Sequence, residues 1–200
     1  MKEGFFAASL AFALGLPLAA QAADLQRAEE IVGGRCFLCH GMEGEAASAL
    51  YPRLAGQNAD YIARQLGDFK SGRRKSETMA GMVDELTPEE MKSLGAFFQK
   101  KPATRSEAGD ADLAGVGRYL FVKGNPFSGV AACVSCHGAK GHGTPQLPRL
   151  AGQQPLYLEN QLKQFNTRER NNDNAVMHSI ASKLTELEVK AVSSYLSTLE

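Results

Sequence analysis

The chain has 200 residues, 44% of them hydrophobic, and its 22 basic and 22 acidic side chains give a formal net charge of zero. This balance excludes the strongly basic surface that nucleic-acid-binding proteins use, so no nucleic acid is expected as a partner. The length suits one ordinary domain or two small ones.

Residues 1–22 are predicted to be a secretory signal. Lys2 precedes an apolar run from Phe5 to Ala20, and Ala20 and Ala22 have the small side chains that signal peptidase selects. The run is nearly long enough to span a bilayer, so an uncleaved membrane anchor is the alternative. Cleavage is favoured because polar sequence follows the cleavage site directly. The protein is therefore expected in the periplasm.

Each half of the chain contains a C-x-x-C-H motif that follows a predicted helix. CFLCH at 36–40 follows a helix predicted from Leu25 to about Gly34, and CVSCH at 133–137 follows one predicted from Leu113 to about Lys123. The two motifs contain all four cysteines of the chain. Two disulfides would use these cysteines, but a disulfide gives no reason for the histidine that ends each motif.

Three further chemistries compete for these motifs. A dithiol redox pair of the thioredoxin type requires a βαβ setting, which the sequence does not predict. Structural zinc requires four ligands, and each motif supplies only three at short spacing. Covalent c-type haem fits both motifs, because the thiols attach to the haem vinyl groups and the adjacent histidine becomes the proximal iron ligand. We therefore predict two covalently attached haem c groups per chain. The predicted attachment residues are Cys36, Cys39, Cys133 and Cys136, and the predicted proximal ligands are His40 and His137.

The two motifs belong to two copies of one sequence pattern. PRLAGQ at 52–57 recurs at 148–153 at an offset of 96 positions, and matching Tyr, Gln, Leu and Phe residues follow each copy at the same offset. Such self-similarity is typical of a duplicated structural unit. We predict an N-terminal domain at 23–101, a polar linker at 102–109 and a C-terminal domain at 110–200.

The remaining elements of both halves are predicted to be helices. An amphipathic stripe from Tyr61 to Phe69 predicts one helix, and its twin runs from Tyr157 to Phe165 with Pro155 in its first turn. The last helix of each half begins with a T-x-x-E capping box, at 87–90 and 185–188. No strand pattern is present, so we expect an all-α protein. Units this small usually need a cofactor or a similar supplement to their cores.

The second axial ligand decides whether an iron site only exchanges electrons or also binds small molecules. Met79 and Met177 stand at equivalent positions, each seven residues before the Leu-Thr pair that opens the final helix. Core filling is the alternative role of a methionine, but the equivalence favours iron ligands. Met82 is the rival in the first half, and its counterpart in the second half is Ile180. Met79 and Met177 are therefore the predicted ligands.

The repeated PRLAGQ segment is predicted to support the proximal side of each iron. A proximal histidine usually donates its other ring N–H to a backbone carbonyl, and the loops at Pro52 and Pro148 are the candidates for that carbonyl. Arg53 and Arg149 are candidates for contacts with the haem propionates. The alternative for both arginines is a solvated position in a turn.

In combination these motifs resemble the cytochrome c4 family. The order C-x-x-C-H, YPRLAGQ, a Y-x-x-x-Q-L-x-x-F helix, a methionine and L-T-x-x-E occurs twice, with Leu147 replacing the tyrosine of YPRLAGQ in the second copy. The resemblance implies two tandem class I cytochrome c domains that face each other about a pseudo-twofold axis. It also implies iron ligation by histidine and methionine in both domains.

The function that the resemblance implies is electron shuttling in the bacterial periplasm. Expected partners are redox proteins such as a quinol-oxidising cytochrome complex and a terminal oxidase, and we expect a monomer with at most a peripheral association with the inner membrane. A basic stretch at 70–75 is either a steering surface for an acidic partner or a solvated helix end. The alternative functions are a dihaem subunit of a flavocytochrome sulfide dehydrogenase and, less in keeping with the matched methionines, a dihaem peroxidase.

Overall fold

The computed structural model describes residues 17–106 and 111–200, with side chains described from residue 24 in the first range and from residue 112 in the second. Most of the predicted signal, at 1–16, and the end of the predicted linker, at 107–109, lie outside the described residues. Helices and loops make up the described residues, whose only strand-like pairing is one bridge between Asn125 and Val130. The predicted all-α fold is therefore confirmed.

The helices have the following bounds: α1 Pro17–Ile31, α2 Phe37–His40, α3 Ala59–Lys70, α4 Glu77–Val83, α5 Pro88–Gln99, α6 Ala111–Lys123, α7 Val134–His137, α8 Pro155–Thr167, α9 Val176–Ala181 and α10 Glu186–Ser197. Within the described ranges, none of these helices has both the length and the apolar character that crossing a bilayer requires.

The first helix is longer than the sequence predicts. It begins at Pro17, inside the predicted signal, and continues through a π-helical turn at Val32–Cys36 directly into α2. Ile31 and Phe37 on either side of the π-helical turn have right-handed helical backbone angles, so the helical backbone continues from α1 into α2. The first C-x-x-C-H motif is therefore attached rigidly to a long helix.

Each half has its own hydrophobic core. The first core is formed mainly by α1, α3 and α5, and its largest side chains include Leu94, Phe97 and Phe98. The second core is smaller and centres on Phe121 of α6, which packs between α8 and α10. Helices α6 and α10 approach closely at Gly117, where a Cβ atom would lie only 2.0 Å from the Ala191 carbonyl oxygen.

Both predicted capping boxes are present. Thr87 accepts a hydrogen bond from the N–H of Glu90, whose carboxylate accepts one from the N–H of Thr87 in return. Thr185 and Glu188 make the same pair of bonds at the start of α10. These bonds satisfy backbone donors that a helix start leaves without partners. They fix where the last helix of each half begins.

Candidate functional site

The two C-x-x-C-H motifs form short helical turns that end at a glycine. Cys39 and His40 lie in α2, and Gly41 follows with φ of 75°, a backbone angle that favours glycine. In the second half His137 is the last residue of α7, and Gly138 follows with φ of 79°. The chain therefore leaves the helix immediately after each histidine, and both imidazoles are buried.

The predicted carbonyl partner of each histidine is confirmed. His40 Nδ1 lies 3.0 Å from the Pro52 carbonyl oxygen, and His137 Nδ1 lies 3.2 Å from that of Pro148. Because a carbonyl can only accept, Nδ1 is the donor in both contacts, and Nε2 keeps the lone pair that a metal requires. Burial lowers the pKa of both imidazoles, and the bond to the carbonyl offsets only part of this effect.

The first cysteine thiol of each motif sits in buried surroundings that favour its neutral form. Burial raises the pKa of Cys36, and it raises the pKa of Cys133 to about 11. All four cysteines are free thiols, which gives the disulfide interpretation no support. Zinc binds thiolates, and a raised thiol pKa disfavours that form. Among residues 17–106 and 111–200, no group of three or more His, Cys, Asp or Glu side chains is placed to hold a metal ion.

The two predicted methionine ligands lie on short helices that occupy equivalent places in the two halves. Met79 is on α4, where Ser76 caps the helix by accepting from the Met79 N–H at 3.3 Å. Met177 is on α9, and its N–H donates to a carboxylate oxygen of Asp173. Met79 packs against the first core, whereas the rival Met82 is 39% exposed. The surroundings therefore favour Met79 as the ligand.

All of the predicted attachment and ligand residues border one continuous cavity of about 1410 Å³. This volume exceeds the range of roughly 300–1,000 Å³ that is usual for a single small-molecule site. The cavity is lined from both halves, and its lining residues include Cys36, Cys39, His40, Met79, Cys133, Cys136, His137 and Met177. The residues present therefore fit two large apolar groups held side by side.

Arg53 and Arg149 border the same cavity, and both are partly buried, which lowers the pKa of each guanidinium. Arg53 Nη1 donates to the Gly152 carbonyl of the other half at 2.6 Å and to the Ser106 hydroxyl at 3.2 Å. Its Nε is buried without a hydrogen-bond partner. A carboxylate such as a haem propionate would satisfy that donor. Arg149 Nε donates to the Ala151 carbonyl at 3.1 Å.

The glutamine that ends each PRLAGQ segment joins the two halves. Gln57 accepts from the Arg149 N–H at 2.7 Å and donates to the Arg149 carbonyl at 2.9 Å. Gln153 makes the same two bonds with Arg53, also at 2.7 Å and 2.9 Å. This exchange of partners is what a twofold relation between the halves produces. Sequence reasoning missed this contact, although identical glutamines at an offset of 96 positions could have indicated it.

Two arginine-centred clusters also cross between the halves. Arg74 and Arg170 occupy equivalent positions, and each guanidinium donates to a tyrosine hydroxyl and a glutamine oxygen of the opposite half. Arg74 reaches Tyr157 at 2.9 Å and Gln161 at 2.8 Å, and Arg170 reaches Tyr61 at 2.9 Å and Gln65 at 3.0 Å. Burial alone would raise the pKa of Tyr157, but the charges of Arg74 and Arg170 lower it overall.

Most of the basic stretch at 70–75 is engaged within the chain. Lys70 Nζ donates to the Leu86 carbonyl at 2.7 Å, and Arg73 forms an ion pair with Asp68 at 2.7 Å. Arg74 belongs to the cluster between the halves. Arg74 is therefore committed to the contact between the halves, whereas Lys70, Arg73 and Lys75 remain exposed.

Comparison with known proteins identifies the family. Residues 121–200 match the family model of cytochrome c, and residues 23–98 match the model described as cytochrome c oxidase, cbb3-type, subunit III. Cytochrome c4 from Thiocapsa roseopersicina is 40% identical over 185 residues, which cover 90% of this chain and 95% of that protein. The chain belongs to the cytochrome c4 family.

Two further relatives extend the comparison. The crystal structure of reduced recombinant cytochrome c4 from Pseudomonas stutzeri has a TM-score of 0.83 and 32% identity, and the match covers 88% of this chain and 98% of that one. A protein named thiosulfate dehydrogenase electron acceptor, from Stutzerimonas stutzeri strain A1501, is 37% identical over 94% of this chain and 91% of its own length.

Family membership confirms the two-domain architecture and the class of function. Like other members of the cytochrome c4 family, this chain carries two covalently attached haem c groups and transfers electrons, and it is not an enzyme. The duplicated C-x-x-C-H motifs and the shared cavity are the structural basis of this activity.

Proposed function

We propose that the protein is a periplasmic electron carrier in which His40 and Met79 ligate one iron and His137 and Met177 ligate the other. The proposed domain with the first iron site is 23–101, the proposed domain with the second is 110–200, and the linker at 102–109 joins them. The observation that carries this proposal is the single cavity bordered by both sets of predicted ligands. A haem c group held in this way supplies a one-electron couple between ferric and ferrous iron.

The protein's own residues make each site suitable for electron exchange alone. The carbonyls of Pro52 and Pro148 orient the two imidazoles and keep Nδ1 protonated. Ser76 and Asp173 each accept a hydrogen bond from the backbone N–H of a methionine, which fixes the backbone from which each thioether extends. A site filled on both sides leaves no position for a substrate, which disfavours the peroxidase alternative.

A spectroscopic experiment on protein exported to the periplasm tests the ligand assignment. A pyridine haemochrome assay should give two haems per chain, and the oxidised protein should show the weak far-red band of methionine-to-iron ligation. Met79→Ala and Met177→Ala should each remove about half of that band. Met82→Ala is the matched control and should leave it unchanged. One haem per chain, or a band that is lost in Met82→Ala, would contradict the assignment.

Arg53 is proposed to contact a haem propionate, and Arg149 has the same proposed role in the second half. Arg53 offers the sharper test because its Nε is buried without a partner. Replacing Arg53 with Lys keeps the charge but removes the planar fork, so the reduction potential of the nearby haem should change. An unchanged potential in Arg53→Lys would oppose a direct propionate contact.

The partners are proposed to be redox proteins of the periplasm and the inner-membrane surface. A quinol-oxidising cytochrome complex and a terminal oxidase are the expected donor and acceptor, with the protein acting as a monomer that associates only peripherally with the membrane. The relative named thiosulfate dehydrogenase electron acceptor supports a second donor, a thiosulfate-oxidising enzyme. Stopped-flow reduction by purified thiosulfate dehydrogenase with thiosulfate, compared with reduction by the quinol-oxidising complex, would decide between the donors. Co-purification with a flavoprotein would instead favour a role as an enzyme subunit.

A further inference from the structure

One peptide group in the first half contacts both the proximal histidine and the opposite half. The Pro52 carbonyl and the Arg53 N–H belong to the same peptide unit. The carbonyl accepts from His40 Nδ1 at 3.0 Å, and the N–H donates to Gln153 Oε1 at 2.7 Å. A side chain of the second half is therefore connected to the proposed iron ligand of the first half through one peptide plane.

The second half contains the same connection, here to a side chain of the first half. The Pro148 carbonyl accepts from His137 Nδ1 at 3.2 Å, and the Arg149 N–H donates to Gln57 Oε1 at 2.7 Å. Each imidazole is thus linked to a glutamine of the other domain by two hydrogen bonds and one peptide group. Each of these two connections is a crossed relay.

Both glutamines are held firmly in the orientation that the crossed relay requires. They are buried, with 5% of Gln57 and 6% of Gln153 exposed. The side-chain nitrogen of each donates to the carbonyl of the same arginine at 2.9 Å, which assigns Oε1 as the atom that faces the N–H. Each Oε1 also accepts the N–H of the following residue, Asn58 or Gln154, at 3.0 Å.

The crossed relay has an electronic consequence for the imidazole. Hydrogen bonds in a chain polarise one another, so an acceptor on the peptide N–H increases the negative charge on the peptide oxygen. A more negative oxygen is a better acceptor for the histidine Nδ1–H, and it makes the imidazole a stronger donor to its metal. A stronger donor stabilises ferric iron relative to ferrous iron and so lowers the reduction potential.

We propose that Gln153 and Gln57 are positioning residues that lower the reduction potential of the iron in the opposite domain. Gln153 acts on the iron of His40, and Gln57 acts on the iron of His137. This proposal rests on the proposed ligation by these two histidines. It assigns to the repeated PRLAGQ segment an electronic role in addition to its role in joining the halves.

The test replaces each glutamine with methionine, which has a similar length but offers no amide oxygen. The two haem potentials are measured separately by redox titration, each haem being followed through the NMR signals of its own proximal histidine. Gln153→Met should shift the potential of the His40 iron upward and leave that of the His137 iron in place. Gln57→Met should do the reverse. Gln154→Met is the matched control beside the interface and should move neither potential.

A second measurement reports on the crossed relay directly. In the reduced protein the backbone N–H resonance of Arg53 should move upfield in Gln153→Met because it loses its acceptor, and the Nδ1–H resonance of His40 should move with it. A purely structural role would loosen the interface and move both potentials together. That result, or a shift confined to the domain that carries the substitution, would refute the crossed relay.

The outcome separates the two proposals. Two histidine-ligated haems whose potentials stay unchanged in both variants would refute the crossed relay and leave the proposed function intact. NMR evidence that His40 or His137 does not bind iron would refute the proposed ligation and the crossed relay together.

Discussion

Replacing Arg170 with methionine tests how strongly the two halves are held together. Arg170 is 7% exposed and donates across the interface to Tyr61 at 2.9 Å and to Gln65 at 3.0 Å. A hydrogen bond from a charged donor contributes about 1.5 kcal/mol at the lower end of its range, so the loss of these two bonds alone gives about 3 kcal/mol in the free energy of unfolding. The variant also loses the bonds of Arg170 to Gln161 and Asn172 within its own half, so this figure is a lower bound. In a protein of this size that loss lowers the melting temperature by roughly 6–12 °C.

The assay is thermal unfolding of the haem-loaded protein, followed by circular dichroism and by the haem absorption band. Arg168→Met is the matched control, because Arg168 is exposed and lies two residues away, and it should change the free energy by less than about 0.5 kcal/mol. Arg74 and Arg170 share Gln65 and Gln161 as acceptors, so the double variant should deviate from additivity. A melting temperature for Arg170→Met equal to that of Arg168→Met would refute this account of the interface.

Two further predictions concern local structure. Gly117→Val should destabilise the protein by more than about 2 kcal/mol, because any Cβ at Gly117 meets the Ala191 carbonyl. Gly115→Ala should stabilise it by about 0.5–1 kcal/mol, because a Cβ at Gly115 meets no atom within 4 Å and alanine favours the helix. Urea unfolding of both variants checks this pair, and equal effects would contradict it. The pKa of Glu188 is lowered from 4.5, mainly by its bond to the Thr185 N–H. A lowered pKa in the folded state means that this stabilisation is present above pH 4.5 and is lost as the pH falls below that value. Glu188→Gln should therefore lose less stability than the parent protein as the pH falls below 4.5. A free energy of unfolding with the same pH dependence in both proteins would contradict this prediction.

The elements that depend on neighbours in the chain could be read from the sequence. The helical stripe of α3 and the capping boxes are local features, because their physics involves residues only a few positions apart. The histidine-to-carbonyl bond was predictable for a related reason: a metal-bound imidazole needs an acceptor for its second N–H, and the duplicated proline loop supplied a candidate.

The contacts between the halves could not be read in the same way. Gln65 and Arg74 looked like parts of an amphipathic helix and of a basic helix end, and their partners lie 105 and 83 positions away in the chain. Pairing over such a distance depends on how two finished domains pack, which no local pattern records. The continuous path from α1 into α2 was missed because the glycines at 33 and 34 indicate a helix end, while the structure accommodates them in a π-helical turn.

The reciprocal bonds of the PRLAGQ segments also bear on how this protein has been able to evolve. Gln57 and Gln153 each bond the peptide that contacts the other half's histidine, so a substitution at either glutamine changes the hydrogen bonds of both halves. A duplicated gene is ordinarily free to let its copies diverge. Here the six letters have stayed identical, while Ala63 of α3 and its counterpart Glu159 of α8 differ. Because each copy of the hexapeptide depends on the other, we expect the two copies to be constrained together in evolution.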